Sequence, residues 1–295
     1  MDLLQLSYFR AVARSEHMTR AAEELGIAQP SLSKTIARLE EELGVELFDR
    51  QGRGIQLNQF GRVLAVRVER IFAELEEAKR ELADLAGSSQ GHIALASTST
   101  PILPDLLKTF RASHPEIRFR LYQNPTPAML HQLENGEIDL CIVSPLVDLP
   151  GICCLPLREE EILLMVPVGH RLASRSSVDL SELAYEEFVS LRPGYSIRDI
   201  TDDLCRRVGF IPNVAFEGDE PSSLRNLAMA GLGIAFVSAS SLNNWTSTLV
   251  RPLHIDYPPC RRSIGLAWLE KRYLSLAACQ FRQFVIDYFA RLSQR

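Results

Sequence analysis

The sequence predicts an α+β multidomain fold, and three patterns along its 295 residues indicate it. Residues 1–58 contain short helix patterns followed by a hairpin pattern. Residues 59–90 contain one long heptad pattern and a break rich in glycine and serine, and residues 91–295 alternate strand-like and helix-like runs. A chain of this length favours two or three domains over one compact core.

The composition is that of an ordinary globular protein, with 46% hydrophobic and 23% charged residues. The formal net charge of −5 gives no sign of a polyanionic partner. No apolar run approaches the length of a transmembrane helix. The N-terminus lacks the cationic start and the cleavage site of a secretory signal. We therefore expect a cytoplasmic protein with no membrane partner.

Three short amphipathic helices are predicted at the start of the chain. The second is expected to begin after an N-cap at Thr19 and to end at Gly26. The third begins near Pro30, because proline suits the first turn of a helix. Apolar residues spaced by three or four predict the buried faces of the first and third helices: Leu3, Leu6, Phe9, Val12, and then Leu32, Ile36, Leu39, Leu43.

A β-hairpin with a basic tip follows these helices. The apolar runs VELF and IQL flank the glycine-containing turn DRQGRG, which carries Arg50 and Arg53. Three short helices and a basic hairpin in this order describe a winged helix-turn-helix.

The outer face of the third helix predicts contacts with double-stranded DNA, although residues 1–60 hold seven Lys and Arg against nine Asp and Glu. Amide, hydroxyl and ammonium side chains on this face reach base edges in a major groove, and Pro30 suits a thymine methyl group. Arg38 suits a phosphate, and Arg53 suits a narrow minor groove. Each residue alone is more often an ordinary surface residue. The predicted DNA-binding set is Gln29, Pro30, Ser31, Ser33, Lys34, Arg38, Arg50 and Arg53.

A long helix is predicted after an N-cap at Asn58, and GSSQG at residues 87–91 ends it as a hinge. Its apolar residues alternate spacings of four and three, which is a heptad pattern. Packing on its own domain is one interpretation, but the narrow stripe favours pairing with a second chain. The stripe comprises Leu64, Val68, Ile71, Leu75, Ala78, Leu82 and Leu85.

The alternating β and α runs that follow predict open, mainly parallel sheets, two of them given the length, and a final helix from about Leu274 to Leu292. Small polar residues follow three of the predicted strands, where ligands bind in such sheets. Backbone N–H groups at helix N-termini there suit an anion or carboxylate. Plain helix capping is the alternative. The predicted effector-binding set is Ser97, Thr98, Ser99, Thr100, Thr126, Ser196 and Arg198.

The segment FRAVARSEHMTRAAEELGIAQPSLSKTIARLEEELGVELFDRQGRGIQL closely resembles the N-terminal domain of LysR-type transcriptional regulators, and it does so without a gap. The likeness extends more loosely over the whole chain. It implies that positions such as Gln29, Ser33 and Arg53 read DNA. Lys34 stands where an arginine is often found, so the bidentate fork is lost there.

The resemblance also implies a domain plan. A winged helix-turn-helix DNA-binding domain at 1–58 and a dimerising linker helix with its hinge at 59–90 precede a two-lobed α/β effector domain of periplasmic-binding-protein type. Lobe I would comprise 91–163 plus 266–295, and lobe II 164–265.

These observations predict a ligand-responsive transcription regulator that binds a pseudo-palindromic promoter site as a homodimer or homotetramer. A small-molecule effector would bind between the lobes. No cofactor, metal site or catalytic residue is predicted. The alternative is that the α/β part is a solute-binding or enzymatic module and the N-terminal helices only mediate assembly.

Peroxide-sensing members of the same family resemble this chain near GYSIRDITDDLC, where they carry a reactive cysteine and a partner nine residues later. Here the first position is Ser196 and only the second, Cys205, is a cysteine. Because that chemistry requires a thiolate nucleophile, the serine argues against it. The six cysteines are expected to be small buried hydrophobes, with redox activity at Cys153 and Cys154 as the alternative.

Overall fold

The chain forms two compact units, Met1–Leu82 and Ala83–Arg295, each with its own apolar packing. The computed structural model describes residues 1–51, 54–86, 91–98, 101, 103–242 and 248–292. Within these ranges, no helix has the length and apolar character needed to cross a membrane. The predicted order of winged helix-turn-helix, long helix and α/β region is confirmed.

The first unit contains three short helices, an antiparallel hairpin and the start of a long helix. Its elements are α1 Leu3–Ser15, α2 Met18–Leu25, α3 Gln29–Leu43, β1 Phe48–Gln51, β2 Gly54–Leu57 and α4 Gln59–Leu85.

The helix caps of this unit differ in one place from the prediction. The N-cap of α2 is His17, whose Nδ1 accepts a hydrogen bond from the Arg20 backbone N–H at 3.3 Å. The expectation of Thr19 was wrong, because the helix already begins at Met18. The cap at the start of α4 is confirmed, since Asn58 Oδ1 accepts the backbone N–H of Gly61 at 2.9 Å.

The apolar stripe of α3 is buried over three of its four predicted positions. Leu32, Ile36 and Leu39 lie in the core of the first unit, but Leu43 is 38% exposed. Leu43 is the last helical residue, and Gly44 then turns the chain with a φ of 72°. The stripe therefore ends before the helix does.

The heptad stripe of α4 has two environments. Val68 is buried and Leu64 partly buried against the core of the first unit. The later positions are exposed within the single chain, reaching 79% at Leu85. The first part of the stripe therefore packs on its own domain, and pairing of the second part with another chain stays a prediction.

The second unit alternates strands and helices, and it begins with the last three residues of α4. Its elements are β3 His92–Ser97, α5 Leu103–Ser113, β4 Arg118–Gln123, α6 Thr126–Asn135, β5 Leu140–Val143, β6 Ile152–Pro167, β7 Ser177–Val178, β8 Glu187–Leu191, α7 Ser196–Arg207, β9 Asn213–Gly218, α8 Pro221–Met229, β10 Ala235–Ser238, β11 Val250–Ile255, β12 Arg261–Leu269 and α9 Leu276–Leu292, with short 3₁₀ helices at Leu180–Leu183 and Ala239–Leu242.

The main sheet of this unit is mixed, which corrects the expectation of two mainly parallel sheets. Its strand order is β4-β3-β5-β12-β6-β11-β7, and β10 also pairs with β6. β3 runs parallel to β4 and β5, whereas β6 is antiparallel to β10, β11 and β12. A parallel pair, β8-β9, stands apart. The 16-residue β6 is long enough to join both halves of the sheet.

Two large apolar cores lie along this sheet, as expected for a two-lobed domain. One contains Phe110 and Phe281, and the other contains Phe188. Ile162 of β6 packs in the second core and Ile264 of β12 in the first. The lobe boundaries given above assign these two residues the other way round, so the chain crosses between cores slightly earlier on both strands.

Candidate functional site

The outer face of α3 presents the predicted reading residues together. Gln29, Pro30, Ser31 and Lys34 are exposed, and Ser33 is partly buried. Gln29 Nε2 donates to Ser33 Oγ at 2.9 Å, which couples two of the candidate readers. This face has the polar groups that a base edge requires.

The structure describes only some of the basic side chains around this face. Arg38 is exposed, and its Nε lies 3.4 Å from Glu42 Oε1. Arg50 lies in β1, but its side chain falls outside the described part of the structure. Arg53 also lies outside the described residues.

The acids at the far end of α3 have partners inside the first unit. Glu42 binds the Met1 ammonium and accepts from Gln5 Nε2 at 3.2 Å. The hydrogen bond from the N-terminus, followed by that from Gln5, holds the pKa of the Glu42 carboxyl below its ordinary value. Glu40 accepts the Leu47 backbone N–H at 2.8 Å. These carboxylates therefore have structural tasks away from the reading residues at the start of α3.

A cavity of about 70 Å³ lies in the second unit, at the carboxyl end of β8 and the start of α7. Its wall also includes α8, β10, Thr98 after β3 and Arg262 of β12. Most of the wall is apolar, with Tyr195 and Phe236 contributing rings. An apolar pocket with a few convergent polar groups is the usual form of a small-molecule site.

Two of the predicted effector-binding residues, Thr98 and Ser196, line this cavity. Ser97 and Thr126 are buried but are not among its lining residues, and Thr126 Oγ1 donates to the Ser144 carbonyl oxygen at 3.0 Å. Two further predicted residues, Ser99 and Thr100, lie outside the described residues.

Arg198 is not among the cavity-lining residues, contrary to its expected role as a charge partner. Its Nε donates to Asp202 at 2.6 Å, and its Nη1 donates to the Leu191 carbonyl oxygen at 3.1 Å and lies 3.4 Å from Glu217. The side chain thus ties α7 to β8 and β9. Arg198 lies in the first turn of α7, but its guanidinium binds carboxylates that are not part of the cavity wall.

Two arginines that the sequence analysis missed line the cavity instead. They are Arg225 of α8 and Arg262 of β12, and no Asp or Glu occurs among the described lining residues. A charged residue within the apolar strand RRSIGLAWL was the available signal for Arg262. Charged side chains are rarely buried without a partner, so such a position merits attention.

Glu160 of β6 is the buried partner of Arg262. Its Oε2 accepts from Arg262 Nε at 2.8 Å and Nη2 at 2.6 Å. Its Oε1 accepts from the Ser240 backbone N–H at 2.8 Å and from Arg158 Nη2 at 3.1 Å. Burial alone would raise the pKa of the Glu160 carboxyl, but the Arg262 charge and the Ser240 hydrogen bonds outweigh it and lower that pKa. Glu160 is therefore ionised at neutral pH.

The start of α7 adds a second feature suited to an anion. Its N-cap residue, Tyr195, makes no side-chain capping hydrogen bond, and Ser196 is the first helical residue at the cavity wall. Backbone N–H groups in the first turn of a helix lack helical partners and carry partial positive charge. The carboxylate of Asp199 in this turn accepts the Gly194 backbone N–H at 2.9 Å.

Ser144 is another polar residue that the sequence analysis missed. It follows β5, its side chain is buried, and its hydroxyl has no hydrogen-bond partner within the described ranges. Buried hydroxyls normally have a hydrogen-bond partner, so Ser144 is unusual among the described residues.

Together, a winged helix-turn-helix with a polar reading face, a long helix and an α/β unit with a cavity at its strand ends define a class. Proteins with this combination of domains are ligand-responsive DNA-binding regulators.

Comparison with known proteins identifies the family within that class. Residues 3–62 match the family described as "Bacterial regulatory helix-turn-helix protein, lysR family", and residues 86–290 match "LysR substrate binding domain". The chain belongs to the LysR family of transcription regulators, and it is a DNA-binding regulator with a small-molecule effector domain.

Three similar proteins illustrate the match. An uncharacterised HTH-type transcriptional regulator, YybE of Bacillus subtilis, is 39% identical over 98% of this chain and 100% of its own. Full-length CbnR complexed with target DNA has a TM-score of 0.72 and 25% identity, covering 97% of this chain and 99% of its own. The effector-binding domain of QuiR in complex with shikimate has a TM-score of 0.61 and 28% identity, covering 69% of this chain and 99% of its own.

The cysteines of the second unit include three buried thiols. Burial raises the pKa of Cys141, Cys205 and Cys260 to about 12 in each case. The three others, Cys153, Cys154 and Cys279, are partly buried. At neutral pH the buried thiols are almost entirely protonated, and the protonated thiol is a poor nucleophile.

Thiol labelling with a disulfide reagent at pH 8 is predicted to modify at most three cysteines of the native protein. Only about 0.01% of a thiol with this raised pKa is ionised at that pH. Denaturation in guanidinium should release all six. Rapid labelling of Cys205 in the native protein, identified by mass spectrometry, would contradict this assignment.

Proposed function

We propose that this regulator responds to a small organic anion bound in the cavity beside α7, that it acts on DNA as a homodimer or homotetramer, and that it is not an enzyme. The observation that carries the anionic class is the cavity wall. Among the described residues it contains two arginines and no carboxylate, and Ser196 opens an adjacent helix. In an environment shielded from water, such a wall favours a negative ligand over a neutral one.

The ligand would use both kinds of surface in the cavity. An anionic head would meet the arginines, Thr98 and the start of α7. An apolar body would meet side chains such as Val189, Leu224 and Phe236. This combination favours a carboxylate with a short hydrocarbon part over an inorganic ion, because the apolar wall contributes binding energy only to an apolar group. The shikimate complex of the QuiR effector domain, a structural neighbour, supports a small-molecule ligand for the effector unit.

DNA recognition would use the exposed start of α3. Gln29, Ser33 and Lys34 supply donors and acceptors for base edges, and Arg38 approaches a phosphate. The structural neighbour CbnR is known in complex with its target DNA, which supports DNA binding by this chain. Arg38 forms an ion pair with Glu42, so it would be a weaker phosphate ligand than an unpaired arginine.

Assembly through the second part of α4 would compensate for the weak charge of one reading unit. The exposed apolar positions Ile71, Leu75, Leu82 and Leu85 suit a second helix. Linking two reading units makes the second contact with DNA intramolecular, which raises overall affinity. Two-fold symmetry then implies a pseudo-palindromic site with half-sites about one helical turn apart.

The last residues of α4 belong to the second unit, and Asp84 among them makes two hydrogen bonds there. Asp84 Oδ2 accepts from Tyr273 Oη at 2.8 Å and from the Leu276 backbone N–H at 2.9 Å, at the start of α9. A rearrangement of the effector unit on ligand binding would therefore act on the end of the helix that carries the reading units. The ligand shifts this equilibrium only if it binds one arrangement more tightly than the other.

Lys34→Ala is predicted to weaken sequence-specific DNA binding by about 10-fold or more, because a side chain that reads a base contributes roughly 1–3 kcal/mol. A mobility-shift assay on the DNA upstream of the coding region measures this. Lys108→Ala, which removes an exposed lysine from α5, is the matched control and should leave affinity unchanged. Equal losses in the two variants would indicate that Lys34 contributes only bulk charge.

Carboxylates of two to six carbons are predicted to raise the melting temperature of the full-length protein, whereas the corresponding amides should raise it less. The amides keep the shape and remove the charge, so the comparison isolates the preference for an anion. Ser181→Ala, at an exposed serine, serves as a neutral control for Ser196→Ala, which should reduce the shift. Equal stabilisation by acids and amides would overturn the anionic class.

A further inference from the structure

The Glu160–Arg262 pair lies where the two longest paired strands pass between the cores of the effector unit. The residues are direct cross-strand partners of β6 and β12, and both side chains are 3% exposed. The register between these strands shifts at Ile264 and Gly265. The pair therefore occupies the crossover between the two lobes, and one of its members also reaches the cavity wall.

The geometry of the pair fixes the orientation of the guanidinium. A guanidinium has five N–H donors in a planar fork. Glu160 accepts from the side edge of that fork, formed by Nε and Nη2 of Arg262. It does not use the end edge formed by Nη1 and Nη2. A carboxylate held at the side edge stops the group from rotating, and the Ser240 backbone N–H in turn holds the carboxylate of Glu160.

The charges around Glu160 leave an excess of positive charge. Arg158 and Arg262 both donate to this carboxylate, at 3.1 Å and at 2.8 and 2.6 Å. One carboxylate offsets one guanidinium, so the three groups together carry one positive charge. Arg262 belongs to the cavity wall, and its side chain is the more buried of the two arginines. A monoanion at the cavity would complete the balance.

We propose that Arg262 is the residue that selects a carboxylate in the cavity, and that Glu160 is a positioning residue that aims its guanidinium there. The proposal rests on the anionic effector of the proposed function and makes it specific. Arg225 is the other cationic residue of the wall, and it approaches the Ser241 carbonyl oxygen at 3.5 Å from α8. Arg262 is held by the buried carboxylate of Glu160, which gives its guanidinium a fixed direction.

The alternative role of the pair is purely structural. Removing one member of a buried ion pair destabilises a fold, because the other charge stays buried without compensation. A test must therefore separate loss of folding from loss of carboxylate selection. Conservative variants that keep both charges serve this purpose, and a neutral ligand of the same shape reports on cavity integrity.

The experiment compares butyrate and butyramide binding to the full-length protein by calorimetry. Arg262→Lys keeps the charge but cannot form the fork. Glu160→Asp keeps the charge but withdraws the carboxylate by one methylene group. The matched control is Glu159→Asp, at an exposed neighbour on the same strand. Circular dichroism verifies that each variant is folded at the temperature used.

The expected result is a loss of butyrate affinity of about 10-fold or more in Arg262→Lys, because a charge-assisted bidentate contact is lost. Glu160→Asp should lose butyrate affinity by about 3-fold or more, which follows from the misplaced fork. Butyramide binding should change little in both variants, and Glu159→Asp should bind both ligands as the wild type does.

Several outcomes would overturn the proposal. Butyrate binding of wild-type strength in Arg262→Lys would do so, and this test stands even if Glu160→Asp fails to fold. Equal losses for butyrate and butyramide in Glu160→Asp would assign Glu160 a structural role only. If wild-type protein binds butyrate no better than butyramide, the anionic effector itself fails. If instead the wild type prefers butyrate to butyramide and Arg262→Lys keeps that preference, only the role of Arg262 is overturned.

Discussion

The buried ion pair between Glu160 and Arg262 is the interaction on which the effector unit depends. It joins β6 and β12 at the place where both strands pass from one apolar core to the other. Two charges removed from water are tolerated only when they satisfy one another. Glu160 of this pair also accepts the Ser240 backbone N–H, and Arg262 contributes to one wall of the cavity. A ligand bound to Arg262, as proposed, would therefore act on the connection between the lobes.

The first unit has an excess of acidic residues, which is unfavourable for DNA binding, and several of these acids pair with partners inside the unit. Glu42 and Glu40 hold the N-terminus and the backbone that follows α3, and Arg14 pairs with Glu69 at 3.1 Å. The start of α3, with Gln29 and Lys34, is left exposed and free of carboxylates on its own first turn. Net charge over the whole segment thus says little about the face that is predicted to read DNA. What counts is the distribution of charge on that face.

The elements that the sequence predicted well are those whose signals are local. Helix periodicity, the cap at Asn58 and the hairpin pattern were sufficient to predict the winged helix-turn-helix, and α9 begins within two residues of its predicted start. Thr98 and Ser196 were predicted from their place after strands, and the structure brings both to one cavity. The mixed sheet was missed because strand direction depends on pairing between distant segments. Glu160 and Arg262 are 102 residues apart, so neither predicts the other. Arg198 was expected at the ligand site, but its guanidinium is engaged by Asp202, four residues later on α7, and by Glu217 of β9, whose position depends on the fold.

The most direct test of this account is the affinity of the full-length protein for its upstream DNA with and without butyrate, measured by fluorescence anisotropy for the wild type and Arg262→Lys. A carboxylate that acts through Arg262 should change wild-type DNA affinity by about 5-fold or more, the usual scale of coupling between two sites. Arg262→Lys should bind the same DNA without a comparable response. An equal response in both proteins would contradict the account, because the coupling would then not pass through Arg262.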